Sequence, residues 1–246
     1  MNIHILSSSN LLGKIAGEKA ATLIKQSIRE KNAANIILAT GASQFNTLEY
    51  LIKDKEIEWN KVIMFHLDEY IGIKESHPAS FRRYLMERFL NKVPKLKEVH
   101  LINGERDATE ECIRISHLIQ EYSIDVALVG IGENAHLAFN DPPANFEVND
   151  PYIIVNLDDA CRNQQMNEGW FKNINEVPQQ AISMSIKQIM KSNNIVCSVP
   201  DKRKALAIKN CFQNKVSNLY PASILQNHDF CDIYLDFDSA SMLCNL

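Results

Sequence analysis

Two acid–base pairs stand out by residue type and spacing. Asp68 and Glu69 lie in Phe65-His-Leu-Asp-Glu-Tyr-Ile-Gly72, at the point where a β-like run gives out. His136 and Asp141 lie in Gly130-Ile-Gly-Glu-Asn-Ala-His-Leu-Ala-Phe-Asn-Asp-Pro-Pro143, directly after the apolar run Ile124–Val129. A histidine exchanges protons near neutral pH, and an aspartate on the same loop can orient its ring. Asn134 and Asn140 add hydrogen-bonding groups there. A carboxylate desolvated among Phe65, Leu67 and Tyr70 has its pKa raised and can act as a base. Two further stretches suit an anion. Thr40-Gly41-Ala42-Ser43 places small residues ahead of a helical run, where free amides bind phosphate. Lys204 opens a late helix and can add a point charge to such a site.

Gly130-Ile-Gly-Glu-Asn-Ala135 also fits the dinucleotide pattern G-x-G-x-x-G/A formally. That fingerprint requires a long helix immediately afterwards, and Pro142-Pro143 stop one within about two turns. His66 and Asp68 would share one strand face, but the seven histidines contain no His-x-x-x-His pair and the six cysteines no Cys-x-x-Cys. Neither a metal site nor a disulfide scaffold is expected, and no cofactor is called for. The cysteine usage fits a reducing, cytoplasmic setting.

The elements that must position these groups are legible as an alternation. β-like runs recur at 2–6, 35–39, 61–67, 99–102, 124–129, 152–157, 194–199 and 232–236. Helical spacing appears at 11–30, 45–52, 80–90, 109–122, 180–191 and 203–212. Strands alternating with helices predict an α/β fold, Rossmann-like, with a mainly parallel sheet flanked by helices. In such a sheet, ligands bind outside the carboxyl ends of the strands. One domain spanning 1–246 is expected. Within it, the proline-rich stretch 141–178 reads as a lid. The net charge of −4 carries no nucleic-acid footprint, no apolar stretch approaches membrane-spanning length, and the N-terminus lacks the order of a signal peptide.

Taken together and in order, these segments resemble the glucosamine-6-phosphate deaminase/isomerase family, whose fold is shared with 6-phosphogluconolactonases. The resemblance rests on Thr40-Gly41, Leu67-Asp-Glu-Tyr70 with His77-Pro-x-Ser80, and Gly130-x-Gly-x-Asn-x-His-Leu-Ala-Phe-Asn140. It continues through Val177-Pro178, Arg203-Lys-Ala-Leu-Ala207 and Pro221-Ala-Ser-Ile-Leu-Gln226. It implies an enzyme that opens a 2-amino-2-deoxyhexose 6-phosphate and releases ammonia and a ketohexose 6-phosphate, a net C–N hydrolysis. His136, oriented by Asp141 with Asn134 in the same relay, would open the ring. Asp68 would carry the proton from C2 to C1. Thr40, Gly41, Ser43 and Lys204 would hold the phosphate, and Glu69 and Arg162 would meet the substrate or the lid.

The alternatives are a galactosamine 6-phosphate substrate, a lactonase, and a non-catalytic sugar-phosphate sensor. Self-association into a homo-oligomer also follows from the resemblance. Three positions depart from the family's pattern: Asn134 stands for a more usual Asp, Asp141 for a Glu, and Gly169 for the arginine before the aromatic pair Trp170-Phe171. The family's allosteric basic residues would fall near Ile153–Val155, which are apolar here, so no such activation is expected.

Overall fold

A computed structural model describes residues 1–167 and 169–244. Its strands are β1 (Asn2–Leu6), β2 (Ala34–Leu38), β3 (Val62–His66), β4 (Asp68–Tyr70), β5 (Glu98–His100), β6 (Val126–Val129), β7 (Tyr152–Asn156), β8 (Gln180–Met184), β9 (Asn194–Val199) and β10 (Cys231–Asp236). The helices are α1 (Ser9–Lys31), α2 (Phe45–Leu51), α3 (Phe81–Arg88), α4 (Ala108–Gln120), α5 (Asp159–Asn167), α6 (Ile186–Ile189) and α7 (Ala205–Phe212). Seven strands form one parallel sheet in the order β1-β10-β9-β6-β2-β3-β5. All its carboxyl ends therefore open on one edge.

Local rules account for much of this. Ser8 caps α1 by accepting from Leu11 N–H at 3.2 Å, and Asn32 closes it in the left-handed region with φ of 57°. Between them Leu12, Ala16, Ala20, Ile24 and Ile28 form a buried stripe at helical spacing. Strands β2 and β6 are apolar on both faces because both faces are covered. Ile36, Leu38, Val126 and Leu128 pack with α1 on one side, while Ile37, Ala127 and Val129 join the core on the other. Each of the valine, leucine and isoleucine side chains among these contributes roughly 1.5–3 kcal/mol on burial.

Two expectations need correction. Residues 180–191 are not one helix: 180–184 is strand β8, and only the single turn α6 follows Ser185, whose hydroxyl accepts from Gln188 N–H. Ile182, Ile186 and Ile189 mimic helical spacing, but pairing with β4 and β7 decides the local structure. The run at 152–157 does not join the parallel sheet. As β7 it forms a separate antiparallel sheet, β4-β8-β7. Leu67 links the two sheets: its N–H donates to Leu38 O at 3.3 Å and its carbonyl accepts from Met184 N–H at 2.9 Å. Asp68 is thus the first residue beyond the crossing. The stretch 141–178 is also more ordered than a bare loop, holding β7, α5 and a turn at Ile174–Glu176. A third core cluster around Tyr70, Phe81, Phe139 and Phe171 fastens it to the small sheet.

Candidate active site

The carboxyl edge of the parallel sheet encloses a cavity of about 420 Å³, within the range of small-ligand sites. The segments after β2, β3, β6, β9 and β10 all reach it. Thr40, Gly41 and Ser43 line it from the first, Asp68 from the second, Gly130, Gly132 and His136 from the third, and Arg203 and Lys204 from the fourth. The parallel sheet thus brings together four groups of residues that are far apart in sequence. Gly41 has φ of 93°, a left-handed conformation that only glycine adopts without strain, and this turn presents the 40–43 segment to the cavity. Lys204, 6% exposed, ends a helical turn capped by Asp201, whose side chain accepts from Arg203 N–H at 2.9 Å.

Asp68 is 6% exposed, and its carboxylate makes no hydrogen bond to any described residue. Burial, with the adjacent Glu69 charge adding to it, pushes its pKa up to about 8. A carboxyl poised there can take up and return a proton near neutral pH. His66, two residues earlier, is fully buried outside the cavity, and burial lowers its pKa to about 3, so it stays neutral.

His136 Nδ1 lies 3.1 Å from Asp141 Oδ1. Asn134 Nδ2 donates to the same oxygen at 3.0 Å, and Asp158 N–H donates to Oδ2 at 3.0 Å. Burial pushes the Asp141 carboxyl up, yet these hydrogen bonds outweigh it and hold the group below its ordinary value. An ionised Asp141 requires the proton on Nδ1, which leaves Nε2 as the proton-accepting atom. Asn134 also accepts His136 N–H through its side-chain oxygen at 3.2 Å. It stands behind the histidine rather than on the cavity wall.

Gly132 explains the Gly-x-Gly pattern without a dinucleotide. A Cβ at 132 would sit 2.2 Å from His136 Nε2, so the missing side chain makes room for the imidazole. No long helix follows the loop. Gly132→Ala should therefore lower turnover about as much as removing the histidine while leaving most of the stability intact. Steady-state rates beside a melting curve would check this, and near-native turnover would contradict it.

Two expected site residues are absent from the cavity wall, and one of them, Arg162, lies within the segment read as the lid. Glu69 is fully buried behind Asp68, where it accepts from Ser80 Oγ at 2.9 Å, Arg82 N–H at 2.8 Å, Phe81 N–H at 3.2 Å and Tyr70 N–H at 3.0 Å. It anchors the start of α3 and does not line the cavity. Consecutive strand residues face opposite ways, and β4 turns Asp68 in and Glu69 away. Arg162 donates to Ile174 O at 2.7 Å and Val177 O at 3.3 Å, bracing the 141–178 segment from within.

Other residues near the site carried no local signal. Cys161 Sγ, a His136 ring nitrogen and an Asp141 oxygen lie within 4.8 Å of one another. By donor type this trio could take a cation. Burial, with Asp141 and other carboxylates adding to it, pushes the Cys161 thiol far up, so it is a neutral neighbour of the relay. Gln164 and Gln165 of α5 also line the cavity, and only the folded position of that helix brings them there.

Fold and site define an open parallel α/β protein with an acid–base cavity at the carboxyl edge of its sheet. A family model described as glucosamine-6-phosphate isomerases/6-phosphogluconolactonase matches residues 7–233. The chain belongs to this family. It is 36% identical over 232 residues to a glucosamine-6-phosphate deaminase of Thermoanaerobacter sp. strain X514, covering 92% of this chain and 90% of that one. To the glucosamine-6-phosphate deaminase of Oenococcus oeni it is 35% identical over 229 residues, covering 93% and 94%. Among solved structures, a monomeric glucosamine-6-phosphate deaminase superposes with a TM-score of 0.90 at 29% identity, covering 99% of this chain and all of that one. The 6-phosphogluconolactonase of Thermotoga maritima shares the fold, with a TM-score of 0.79 at 16% identity over 96% of this chain and 99% of that one.

Proposed function

We propose that this chain is an isomerising deaminase of a 2-amino-2-deoxyhexose 6-phosphate, with glucosamine 6-phosphate as the first substrate to test. The single observation that carries this is Asp68, a buried carboxyl with no hydrogen-bond partner among the described residues, facing one cavity with the His136–Asp141 relay. Proton abstraction next to a carbonyl, followed by return to the adjacent carbon, needs one such mobile base.

The chemistry then balances without a redox partner. His136 Nε2 takes the hydroxyl proton at C1 and passes it to the ring oxygen, which opens the pyranose to the aldehyde. Asp68 removes the C2 proton while O1 takes a proton from water, giving an enolamine, and Asp68 then returns its proton at C1. Water adds to the resulting C2 iminium and ammonia leaves, so one water is consumed and a ketohexose 6-phosphate remains. The substrate's own carbonyl acidifies C2, and no step is routed through a cofactor. Phosphate on the Thr40–Ser43 turn and Lys204 would supply binding energy that positions the reacting end. The 141–178 segment is read as the lid over this site. The similar solved deaminase is a monomer, so a single subunit can hold a complete site in this fold.

The test is ammonia release from glucosamine 6-phosphate and its galacto epimer, with the Asp68→Asn protein as control. We expect turnover of at least one epimer well above that control. No turnover of either would sink the deaminase reading, and hydrolysis of a 6-phosphogluconolactone by the same protein would then mark it as a lactonase.

A further inference from the structure

Helix α5 contributes consecutive glutamines to the cavity wall, 7% and 6% exposed at 164 and 165. Gln164 accepts Glu133 N–H through Oε1 at 2.8 Å and so ties α5 to the histidine loop. Gln165 is held differently. Its Oε1 accepts the Tyr70 hydroxyl at 2.8 Å, and Tyr70 is wedged among the rings of Phe81, Phe139 and Phe171 at 5.0, 5.2 and 5.7 Å. With Tyr70 held in that cluster, its hydroxyl stays against the carboxamide oxygen, and Nε2 is the end turned away from it. The oxygen is spent on Tyr70, and the amide nitrogen donates to no described residue. Gln165 lines the cavity, so its two amide N–H groups are open to an acceptor bound there.

Position says what that acceptor is. Tyr70 and Asp68 are two apart on β4, paired with Ala181 and Ser183, so they share one strand face. The donor that Tyr70 holds and the base line the same cavity. A sugar phosphate held by its phosphate at the Thr40–Ser43 turn and by its C1 end at His136 presents its middle hydroxyls to this wall. With C2 at Asp68, the next oxygen along the chain is the one on C3.

We infer that Gln165 forms a hydroxyl subsite, donating from Nε2 to the oxygen on C3 of the substrate, with Tyr70 as the residue that positions it. This rests on the amino sugar phosphate reading above. A neutral hydrogen bond made to the reacting molecule is expected to matter by about tenfold, and by more if it tightens as the C2 proton leaves.

The experiment is a cycle of protein and substrate variants. Rates of ammonia release are measured with glucosamine 6-phosphate and its 3-deoxy analogue, using the unaltered protein, Gln165→Met and Gln165→Glu. Methionine keeps the volume but has no donor. Glutamate keeps the bond from Tyr70 but likewise cannot donate when ionised. For the full substrate, kcat/KM should fall roughly 10- to 50-fold in both variants. For the 3-deoxy analogue it should already be low in the unaltered protein and change less than about threefold on substitution. A packing role for Gln165, or a charge effect of the glutamate on Asp68, would lower both substrates equally, and that result would overturn the inference alone. If the unaltered protein released no ammonia from the full substrate, this inference and the proposed function would fall together. Melting curves of the two variants show whether the fold is intact.

Discussion

Asp68→Asn should reduce ammonia release by about 10²–10⁴-fold, the usual worth of a positioned acid–base group, while making the protein harder to unfold at alkaline pH. The second half follows from linkage. The folded-state pKa of Asp68, about 8, lies above its value of about 3.9 in an unfolded chain. Between those values the folded protein binds a proton that the unfolded chain has released, so stability declines as pH rises from about 4 to about 8. Below that window the group contributes its full stability, and above it the loss is complete. Asparagine cannot ionise and escapes the loss. The melting temperature of the variant should therefore equal that of the parent near pH 4, and the gap should open steadily to pH 8 and then level off. Each pKa unit realised is worth about 1.4 kcal/mol, and 1 kcal/mol moves the melting point of a protein this size by about 2–4 °C. The same titration should appear in kcat/KM as an ascending limb with an apparent pKa near 8, because the base works only when deprotonated. A pH-independent gap, or a rate limb near pH 4, would show that Asp68 is an ordinary solvated carboxylate.

Glu69→Ala should be the most destabilising single change near the site, at roughly 3–5 kcal/mol. Burial pushes the Glu69 carboxyl up, but donors from Arg82, Phe81, Ser80 and Tyr70 oppose that, and the Arg82 guanidinium lies 3.5 Å away. Arg82 is itself 4% exposed and reaches Asn103, Ile73 O and Glu105. Removing the carboxylate strands three donors at the start of α3 and takes away one of the carboxylates that face the buried Arg82, which keeps Glu105 at 2.9 Å. The cost is mainly the buried donors left without an acceptor, with a weakened buried ion pair added, which is why it exceeds the small worth of a surface pair. Denaturant unfolding near pH 7 measures it. The loss should persist in high salt, since a buried pair is little screened. A change below about 1 kcal/mol would mean that water reaches this network freely.

These two adjacent carboxylates show where the sequence stops being sufficient. The stretch Leu67-Asp-Glu-Tyr70 ends a β-run, and that alone places both acids at the carboxyl edge of a parallel sheet. The same reasoning put Thr40–Ser43, His136 with Asp141, and Lys204 at one edge, because strand direction is shared throughout such a sheet. Composition and local spacing therefore determined the fold class and most of the cavity's chemistry. Which acid faces the cavity was not local. Residues 68 and 69 point to opposite faces of β4, and only the second sheet, built from β7 and the unforeseen β8, decides which face is core. For Arg162 the sequence leaves substrate and lid both open, and its partners prove to be carbonyls 12 and 15 residues along its own segment. Gln165 gave no signal at all, since its meaning comes from Tyr70, 95 residues away in the chain. Alternation and turn chemistry act between neighbours and can be read from a string of residues. Burial, the elevated pKa of Asp68 and the orientation of Gln165 arise from groups brought together by packing, and the tertiary structure alone decided them.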